Sequence, residues 1–416
     1  MPEAPPKRRR PLWRILGILT AILLLAWGGS TLIVHFVAEA RWAAMKADWQ
    51  ALMEETRKRG QSRPPLRGTP TEGNAWDDYI KALSEVRSLY DLESQAAPRY
   101  LKGIPGSNRA LVERVLTRHS SMIDAVRRAS CRCRVNLDLE WKEGALNLPS
   151  RFGSATIAPL AVCLSRFLAE AGKAGEATEL LIDTCRFAAD IDHVEDMAPA
   201  FEELRELLAA GRLSRDQMSN LDRELELLDR EFPRRGDRAA LELIALGAQF
   251  LRSGHSITVQ LVGLHADPED SLWRYGYSAH LMKAEAFDAI RRAVMTLRDA
   301  DERPWTESRS LLKQLTAELT ASRNPIVQTA PEEVLGSDLL HRVHRSQLRL
   351  LRVAARHKAT GELLDLDDPF GAKLLTRRTG DSLTVWSVGP DGEDQGGIGS
   401  FLYDREERDI LIDVHR

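Results

Sequence analysis

The feature that most constrains this chain is an uncharged apolar run near its start. Residues 15–34 carry no charged side chain, and about 20 apolar residues in a helix span a bilayer core of roughly 30 Å. Basic residues are concentrated before the run, at Lys7, Arg8, Arg9, Arg10 and Arg14, and by the positive-inside rule they place the N-terminus in the cytoplasm. We therefore expect a basic cytoplasmic tail over residues 1–10, a transmembrane helix over residues 11–38 embedded in the lipid bilayer, and everything from Glu39 onward outside.

A cleaved signal peptide is the main alternative for this segment. Ala38, Glu39 and Ala40 form the small-x-small pattern that a signal peptidase reads. The apolar region, however, is longer than the roughly 7 to 15 residues of a usual signal-peptide core. This length favours an uncleaved anchor and a single-pass protein.

Composition excludes several classes of protein and partner. The 58 Lys and Arg residues are balanced by 61 Asp and Glu residues, for a net charge of -3. No strongly basic surface is predicted, so nucleic acid is not expected as a partner. A hydrophobic fraction of 43% is too high for a disordered chain, and four cysteines in 416 residues are too few for a disulfide framework.

Helical periodicity dominates residues 39–330, which we expect to form a helical ectodomain. Its clearest unit is an αα-hairpin, in which the apolar-periodic segments 157–171 and 176–190 flank a turn containing Gly172 and Gly175. A loop is expected over residues 60–73, where prolines and glycines cluster. Further helices are predicted over residues 75–95, 107–128, 201–210, 214–230, 238–252, 279–300 and 308–321.

The pattern changes in the C-terminal module, which we define as residues 331–416. A helix is predicted up to about residue 358, and the β-like runs 374–378, 383–388 and 410–414 follow it, separated by turn residues. We expect one helix and a short antiparallel sheet. The predicted fold class is therefore mainly α, with a transmembrane helix, a helical ectodomain and a small α+β module.

Several spaced elements of the C-terminal module follow one another in a recognisable order. They are Asp368-Pro369-Phe370-Gly371, the W-S-V-G-P-D-G stretch of residues 386–392, Gly396-Gly397 and Asp409-Ile410. Together they resemble the C-terminal region of the major pseudopilin of type II secretion systems, whose pattern is a D-P-W-G turn, an S-L-G-A-D-G loop and a closing D-I.

This resemblance implies that the glycine-rich loop wraps a calcium ion. The acidic positions that match the family are Asp391 and Asp409, and Glu393 and Asp394 lie beside them. Calcium takes six to eight oxygen ligands, which include backbone carbonyls. The candidate metal ligands are therefore Asp391, Asp394 and Asp409, with a solvated acidic turn as the alternative and no other cofactor expected.

Two differences separate the chain from the pseudopilins. Its N-terminus lacks the Gly-Phe cleavage pair and the glutamate that follows it, and a long helical region separates the membrane helix from the pseudopilin-like module. We do not expect the chain to polymerise as a pilin, and membership of a secretion pseudopilus would require processing of the N-terminus.

The whole arrangement is similar to that of a group of membrane-anchored bacterial envelope proteins without an assigned activity. The matching stretches are Gly73-Asn74-Ala75, the turn of residues 172–177 and Asn324-Pro325-Ile326. This similarity implies a single-pass protein of the bacterial inner membrane, with its bulk on the extracytoplasmic side.

The cysteines allow two readings. Cys163 and Cys185 lie 11 residues on either side of Ala174 in the hairpin turn, so they are expected at the same level, either bridged or as buried free thiols. Cys131 and Cys133 are too close together for a zinc ribbon and have no second cysteine pair at the required spacing. We interpret them as structural, or as partners for another cysteine.

Motifs for catalysis are weak. His341 and His344 could share a metal by spacing, but they lack a third ligand and are expected on a solvated basic face. The best fragment of a hydrolytic triad combines Ser253 with His255, His265 and Asp267, and nothing in the sequence marks an oxyanion hole. Nucleotide-binding, metalloprotease and nucleophile-elbow motifs are absent from the sequence.

The expected function is therefore that of a non-enzymatic interaction or scaffold protein of the cell envelope, with an envelope protein as its partner. The alternative is an envelope hydrolase whose site is not visible as a local motif. A scaffold is expected to lack clusters of buried, mutually bonded titratable groups, whereas an enzyme is expected to hold one in a pocket.

Overall fold

The computed structural model describes residues 12–58, 61–86, 88–89, 91–104, 108–135, 141–142, 145–146, 151–191, 193–253, 279–328, 331–380, 382–402 and 408–415. Most of these residues are helical. The α-helices are α1 (Leu12–Lys58), α2 (Ala75–Val86), α3 (Asp91–Ser94), α4 (Ala96–Leu101), α5 (Arg109–Arg118), α6 (Ser120–Ser130), α7 (Arg151–Glu170), α8 (Ala174–Asp190), α9 (Ala198–Ala209), α10 (Arg215–Arg230), α11 (Arg235–Ser253), α12 (Ala279–Asp301), α13 (Trp305–Thr320), α14 (Pro325–Gln328) and α15 (Pro331–Thr360). The strands are β1 (Gln61–Ser62), β2 (Arg134–Val135), β3 (Trp141–Lys142), β4 (Ala145–Leu146), β5 (Leu375–Thr379), β6 (Ser382–Ser387), β7 (Gly399–Ser400) and β8 (Asp409–His415).

Helix α1 is continuous from a half with exposed apolar side chains to a half that packs into the folded region. Its 47 residues extend about 70 Å at the usual helical rise. Between residues 16 and 37 the side chains are mostly exposed, although an 18-residue window of this helix has a mean hydropathy of 2.0. From Ala38 onward the helix buries one side, through Trp42, Met45, Trp49 and Leu52. Within the described residues, α1 is the one helix long and apolar enough to cross a membrane.

The buried half of α1 packs against α11 and α12, and we call these three segments the stalk. Glu39 of α1 pairs with His280 at 3.0 Å, and Glu55 pairs with Arg298 at 3.0 Å. Since residue numbers rise together in these pairs, α1 and α12 run in the same direction. The backbone N–H of Gly236 donates to Asp301 at 2.9 Å, which makes α11 antiparallel to both helices.

Trp49 locks α1 into the stalk. Its indole Nε1 donates a buried hydrogen bond to the carbonyl of Ile244 at 2.9 Å. The neighbouring Gly247 has no room for a side chain, because a Cβ there would lie 2.4 Å from Trp49 and 2.9 Å from Phe287. The apolar helix is thus rigidly continuous with the folded region.

The predicted αα-hairpin of α7 and α8 is confirmed, and it separates two hydrophobic cores. One face of α8 packs Leu181 and Cys185 into the larger core with α9 to α12 and α15. Leu180 and Phe187 face the second core, built from α2 and α4 to α7. Gly172 forms the turn with a φ of 79°, a conformation that glycine adopts readily.

Two predicted helices are divided in the structure. The helix expected over residues 75–95 ends at Val86, and α3 and α4 follow it. The helix expected over residues 107–128 is broken at His119, whose φ of -117° and ψ of 34° leave the helical region. Its two halves bury residues seven positions apart, such as Val115 and Met122. This spacing also fits one continuous helix, so periodicity could not show the break.

Helix α10 pairs with α15 through buried charges. It begins with a capping box between Ser214 and Gln217. Near its end Asp229 accepts hydrogen bonds of 3.0 to 3.2 Å from Arg345, Arg349 and Arg352 of α15. One aspartate thereby fixes the register of two helices that are far apart in the sequence.

The sheet of the C-terminal module has the strand order β5-β6-β8-β7. Strands β5, β6 and β8 are antiparallel, as expected. The predicted runs 374–378 and 383–388 are each shifted by one residue from β5 and β6, and the run 410–414 lies inside β8. The fourth strand, β7, was not predicted, and it pairs parallel to β8. The sheet is therefore mixed, because the chain after β6 loops around and approaches β8 from the same direction.

Candidate functional site

The turn at Asp368 is tied to the end of β6. Asp368 is 4% exposed, and its Oδ1 accepts hydrogen bonds from Ser387 Oγ at 2.7 Å and from the backbone N–H of Phe370 at 3.0 Å. Its Oδ2 accepts from the backbone N–H of Val388 at 2.9 Å. Burial raises the pKa of Asp368, and these donors oppose the rise. The D-P-F-G turn and the start of the glycine-rich loop are thus one hydrogen-bonded unit.

This unit rests on the end of the stalk. Phe370 packs edge-on against Trp305 with ring centroids 5.4 Å apart. Trp305 Nε1 donates to the carbonyl of Pro390 at 2.8 Å. Since α13 begins at Trp305, directly after α12, the first turn of α13 positions both motifs at the end of the stalk that is remote from the apolar half of α1.

We define the C-terminal loop as residues 389–399. Its path requires glycine at Gly389, where φ is 69° and a Cβ would lie 2.3 Å from the carbonyl oxygen of Arg408. The loop returns to β8, where Asp409 Oδ2 accepts from the backbone N–H groups of Gly397 at 2.9 Å and Ile398 at 3.3 Å. Asp409 therefore closes the loop.

Two of the three predicted metal ligands, Asp394 and Asp409, accept hydrogen bonds from successive backbone N–H groups of the loop, at Gly396 and Gly397. Asp394 Oδ1 accepts from Trp386 Nε1 at 3.0 Å and from the N–H of Gly396 at 2.8 Å. Burial raises the pKa of Asp409, the backbone donors lower it, and the Asp394 carboxylate raises it further. The negative charge of Asp394 therefore disfavours ionisation of Asp409.

Asp391 has a different part in the loop. Its Oδ1 accepts from the N–H of Glu393 at 2.9 Å, and its Oδ2 accepts from Gln395 Nε2 at 2.5 Å. The second bond engages the Gln395 amide nitrogen, and the amide oxygen is buried without a donor. Sequence reasoning missed Gln395, since a neutral amide carries no charge pattern.

Two oxygens at this site have no hydrogen-bond partner among the described residues. They are Asp409 Oδ1 and Gln395 Oε1, and both atoms are buried. A buried oxygen without a donor is costly, unless a cation or water satisfies it. Within the described part of the chain, no group of three or more His, Cys, Asp and Glu side chains is placed to hold a metal. A cation here would therefore need the Gln395 amide and backbone carbonyls in addition to Asp394 and Asp409.

The cysteines and histidines have distinct environments. Cys163 and Cys185 are free and fully buried, and burial raises the pKa of the Cys163 thiol to about 12. His341 and His344 are 7% and 5% exposed. The expectation of a solvated basic face is therefore wrong. Burial lowers the pKa of His341 to about 3, and the hydrogen bond between its ring and the Pro233 carbonyl opposes this shift.

The side chains of the triad fragment lie outside the described residues. The structure describes the backbone of α11 up to Ser253 and resumes at Ala279. His255, His265 and Asp267 fall between these points.

A buried ionic cluster, which the sequence did not indicate, surrounds Arg67. Its guanidinium pairs with Asp183 of α8, and it contacts Glu224 of α10 at 3.2 Å and Glu179 at 3.5 Å. Asp183 is 2% exposed and Glu224 is 4% exposed. Burial raises the pKa of Asp183 to about 6 and that of Glu224 to about 7, against the opposing attraction of Arg67.

A second cluster is centred on Asp190 at the end of α8. Asp190 pairs with Arg63 and accepts a hydrogen bond from the Tyr79 hydroxyl. Arg186 lies 3.7 Å from Asp190 and also pairs with Glu231 at 2.5 Å. Burial and the Asp190 carboxylate raise the pKa of Tyr79. The two clusters together fasten the segment after β1 to α8 and α10.

These clusters bear on the criterion by which a scaffold and an enzyme were to be distinguished, namely the presence of buried, mutually bonded titratable groups. A scaffold was expected to lack buried, mutually bonded titratable groups, and the structure contains them. Each carboxylate faces an arginine at a junction between helices, which is a structural use of charge. Such clusters occur both at structural junctions between helices and in enzyme sites, so they do not separate the scaffold from the hydrolase.

A comparison of the chain with protein-family models, with curated proteins and with solved structures finds no match.

Proposed function

We propose that this chain is a single-pass protein of the bacterial inner membrane, with its N-terminus in the cytoplasm, whose ectodomain is an interaction scaffold of the cell envelope. The observation that carries the proposal is the continuity of α1. An apolar, exposed half passes directly into a half that is buried in the stalk. Such a helix transmits the position of the membrane to the folded region without a flexible linker.

The direction in which the stalk helices run supports this role. Helix α12 starts beside Glu39 and rises parallel to α1 for 23 residues, or about 35 Å. Trp305 follows α12 and contacts the C-terminal loop. The C-terminal module is consequently presented at the end of the stalk that faces away from the bilayer.

Exposed apolar side chains beside the C-terminal loop suit a protein partner. Ile398 is 64% exposed and Leu402 is 47% exposed, and they flank the short edge strand β7. An edge strand with apolar neighbours is a common place for protein association.

Topology can be tested with protease. Cells producing the full chain with a C-terminal epitope are converted to spheroplasts and treated with protease. We expect loss of the epitope in intact spheroplasts and recovery of residues 1–14 by mass spectrometry of the untreated protein. An epitope that survives until lysis contradicts the proposed location, and loss of residues 1–14 contradicts the uncleaved anchor.

The scaffold role can be tested by site-specific photo-crosslinking in intact cells. A photoreactive residue at Ile398 should give a discrete high-mass product with an envelope protein. The same residue at Glu176, in the exposed hairpin turn of α8, is the matched control. Equal crosslinking at both positions would show that the surface beside β7 has no specific partner.

We further propose a weak calcium site in the C-terminal loop, formed by Asp394, Asp409 and the amide oxygen of Gln395. The support is twofold: Asp409 Oδ1 and Gln395 Oε1 are buried without donors, and burial and the negative charge of Asp394 both raise the pKa of Asp409. A divalent cation would satisfy both features, and extracellular calcium sites bind with Kd values of about 10⁻⁴ to 10⁻³ M.

Calcium binding can be measured on the full chain in detergent. At about 10 mM calcium, such a site adds roughly 1.4 to 2.7 kcal/mol of stability, which should raise the melting temperature. Asp409→Asn should abolish the rise, whereas Asp413→Asn, an exposed position on the same strand, should retain it. An unchanged melting temperature of the wild-type protein in calcium would refute the site.

A further inference from the structure

The sheet of the C-terminal module has two edge strands, β5 and β7, and they differ in how much backbone they leave open. Strand β7 has two residues, and Ser400 Oγ engages the backbone just beyond it, since it donates to the Leu402 carbonyl at 2.8 Å and accepts from the Leu402 N–H at 3.1 Å. Strand β5 has five residues, and residues 376–379 are exposed. An exposed edge strand of this length can accept a further strand from a partner.

The hairpin between β5 and β6 shows which backbone groups of β5 point outward. Thr379 pairs with Ser382 across a two-residue turn, and such a turn is closed by a pair of residues that exchange both backbone hydrogen bonds. Hydrogen-bonded pairs alternate along an antiparallel ladder. Every second residue counted back from Thr379 therefore bonds to β6, whereas the N–H and C=O groups of Thr376 and Arg378 point away from it.

A hydrogen bond just before the strand agrees with this alternation. The N–H of Leu374, two residues before Thr376, donates to the carbonyl of Leu366 at 3.0 Å and not to β6. Within the described residues, the outward N–H and C=O groups of Thr376 and Arg378 have no backbone hydrogen bond. They are therefore available to an incoming strand, and the Leu366 contact limits that strand to the stretch from Thr376 to Thr379.

This free stretch is basic. Arg377 and Arg378 are both exposed, and neither forms an ion pair within the part of the chain that the structure describes. The Arg377 guanidinium lies 5.8 Å from the centre of the Trp386 ring and donates to the Gly396 carbonyl at 3.0 Å. Its position is thus fixed by neutral partners, which leave its positive charge uncompensated.

The charge of the edge distinguishes between possible occupants. Two copies of the chain paired through β5 would bring their arginines together, and like charges on neighbouring strands are destabilising. An acidic strand would place carboxylates opposite Arg377 and Arg378. Lys373, just before the strand, adds no positive charge, because it pairs with Asp365 at 3.4 Å and Asp367 at 2.9 Å.

We propose that the free edge of β5 is a docking site for an extended acidic segment of another protein, which joins the sheet as a further strand. Its backbone bonds to Thr376 and Arg378. Because side chains alternate between the faces of a sheet, two successive acidic residues of the segment lie opposite Arg377 and Arg378, one on each face. The backbone bonds supply affinity and the carboxylates supply selectivity. The site names the chemistry of a partner for the interaction scaffold, and in this respect it rests on the proposed function.

The test uses the full chain in detergent, immobilised through its N-terminus, and the peptide T-V-E-E-V-T as the probe. Surface plasmon resonance should show saturable binding of this peptide at about millimolar concentration or lower. The peptide T-V-K-K-V-T is the matched control and should not bind. Equal binding of both peptides, or no binding of the acidic peptide, would overturn the proposal.

A proline variant tests the backbone pairing. Thr376→Pro removes an N–H that points away from β6, so the ladder and the melting temperature should be retained. The affinity for the acidic peptide should fall about tenfold or more. Thr376→Val, which keeps the N–H, is the control and should bind like the wild type. Unchanged affinity of Thr376→Pro would show that the peptide does not pair with β5.

The charge can be tested without changing the backbone. Arg378→Glu should lose binding of the acidic peptide and gain binding of T-V-K-K-V-T. Arg215→Glu, at the exposed start of α10, makes the same change in net charge and should bind like the wild type. An equal loss of binding in both variants would show a general electrostatic attraction and would overturn the site.

Failure of this site and failure of the proposed function give different results. The peptide experiments use purified protein, so they do not depend on the side of the membrane that the protease test reports. A specific crosslink at Ile398 without peptide binding overturns the β5 site and retains the scaffold role. Peptide binding without a specific crosslink at Ile398 supports the β5 site and overturns the surface beside β7.

Discussion

Glu224→Gln tests whether the buried carboxylates around Arg67 lower the stability of this protein as pH rises. Glu224 is 4% exposed and contacts Arg67 at 3.2 Å. Asp183 and Glu179 contact the same guanidinium. Three carboxylates thus share Arg67 in a poorly solvated space, and burial raises the pKa of Glu224 from 4.5 to about 7.

The sign follows from proton binding. A folded state with a raised carboxyl pKa binds the proton more tightly than the unfolded state does. The free energy of unfolding is therefore highest below about pH 4.5 and falls as pH rises to about 7, where the folded-state pKa lies. The difference in pKa corresponds to about 3 kcal/mol for Glu224. Glutamine cannot ionise, so Glu224→Gln removes this share of the pH dependence.

The assay is the melting temperature of the full chain in detergent between pH 4.5 and 8. At roughly 2 °C per kcal/mol, the variant should gain about 6 °C relative to wild type across this range. Glu226→Gln, a half-exposed glutamate on the same helix, is the matched control and should follow the wild-type curve. A Glu224→Gln curve that runs parallel to wild type would show that Glu224 is ionised throughout, and the reasoning from burial would be wrong.

Two packing predictions can be checked by the same melting measurement. Gly247→Ala places a Cβ 2.4 Å from Trp49 and should destabilise the stalk by about 1 to 3 kcal/mol. Gly29→Ala is the control, because a Cβ there has no atom within 4 Å. It should leave the melting temperature unchanged or slightly higher. Asp368→Asn replaces an acceptor with an N–H group that faces the backbone donors, among them Val388, and should cost about 1 to 3 kcal/mol. A melting temperature of Gly247→Ala equal to that of Gly29→Ala would contradict the packing at Trp49. A melting temperature of Asp368→Asn equal to that of wild type would contradict the hydrogen bonds to Asp368.

The C-terminal loop illustrates how much of a site the sequence can indicate. Its glycines and acidic residues were recognised from the sequence, and in the structure Asp391, Asp394 and Asp409 each accept hydrogen bonds from backbone N–H groups of the loop. The buried amide oxygen of Gln395 and the indole donor of Trp386 were not foreseen, because their roles depend on the path of the backbone. No local pattern distinguishes an amide that becomes buried from one that faces solvent.

The Arg67 cluster was invisible for a different reason. Its members come from the segment after β1, from α8 and from α10. In the sequence, Asp183 and Glu224 are ordinary polar positions of amphipathic helices. Only the packing of α8 against α10 turns them into buried charges that share a guanidinium.

The sequence by itself determined the apolar helix, the positions of most other helices and the three longer strands. These features follow from hydrophobic periodicity, from run length and from turn residues, which are properties of neighbouring positions. Tertiary structure decided the direction of the stalk, the parallel pairing of β7, the break at His119 and the burial of His341 and His344. Each of these depends on contacts between residues distant in the chain, whose energies no local pattern records.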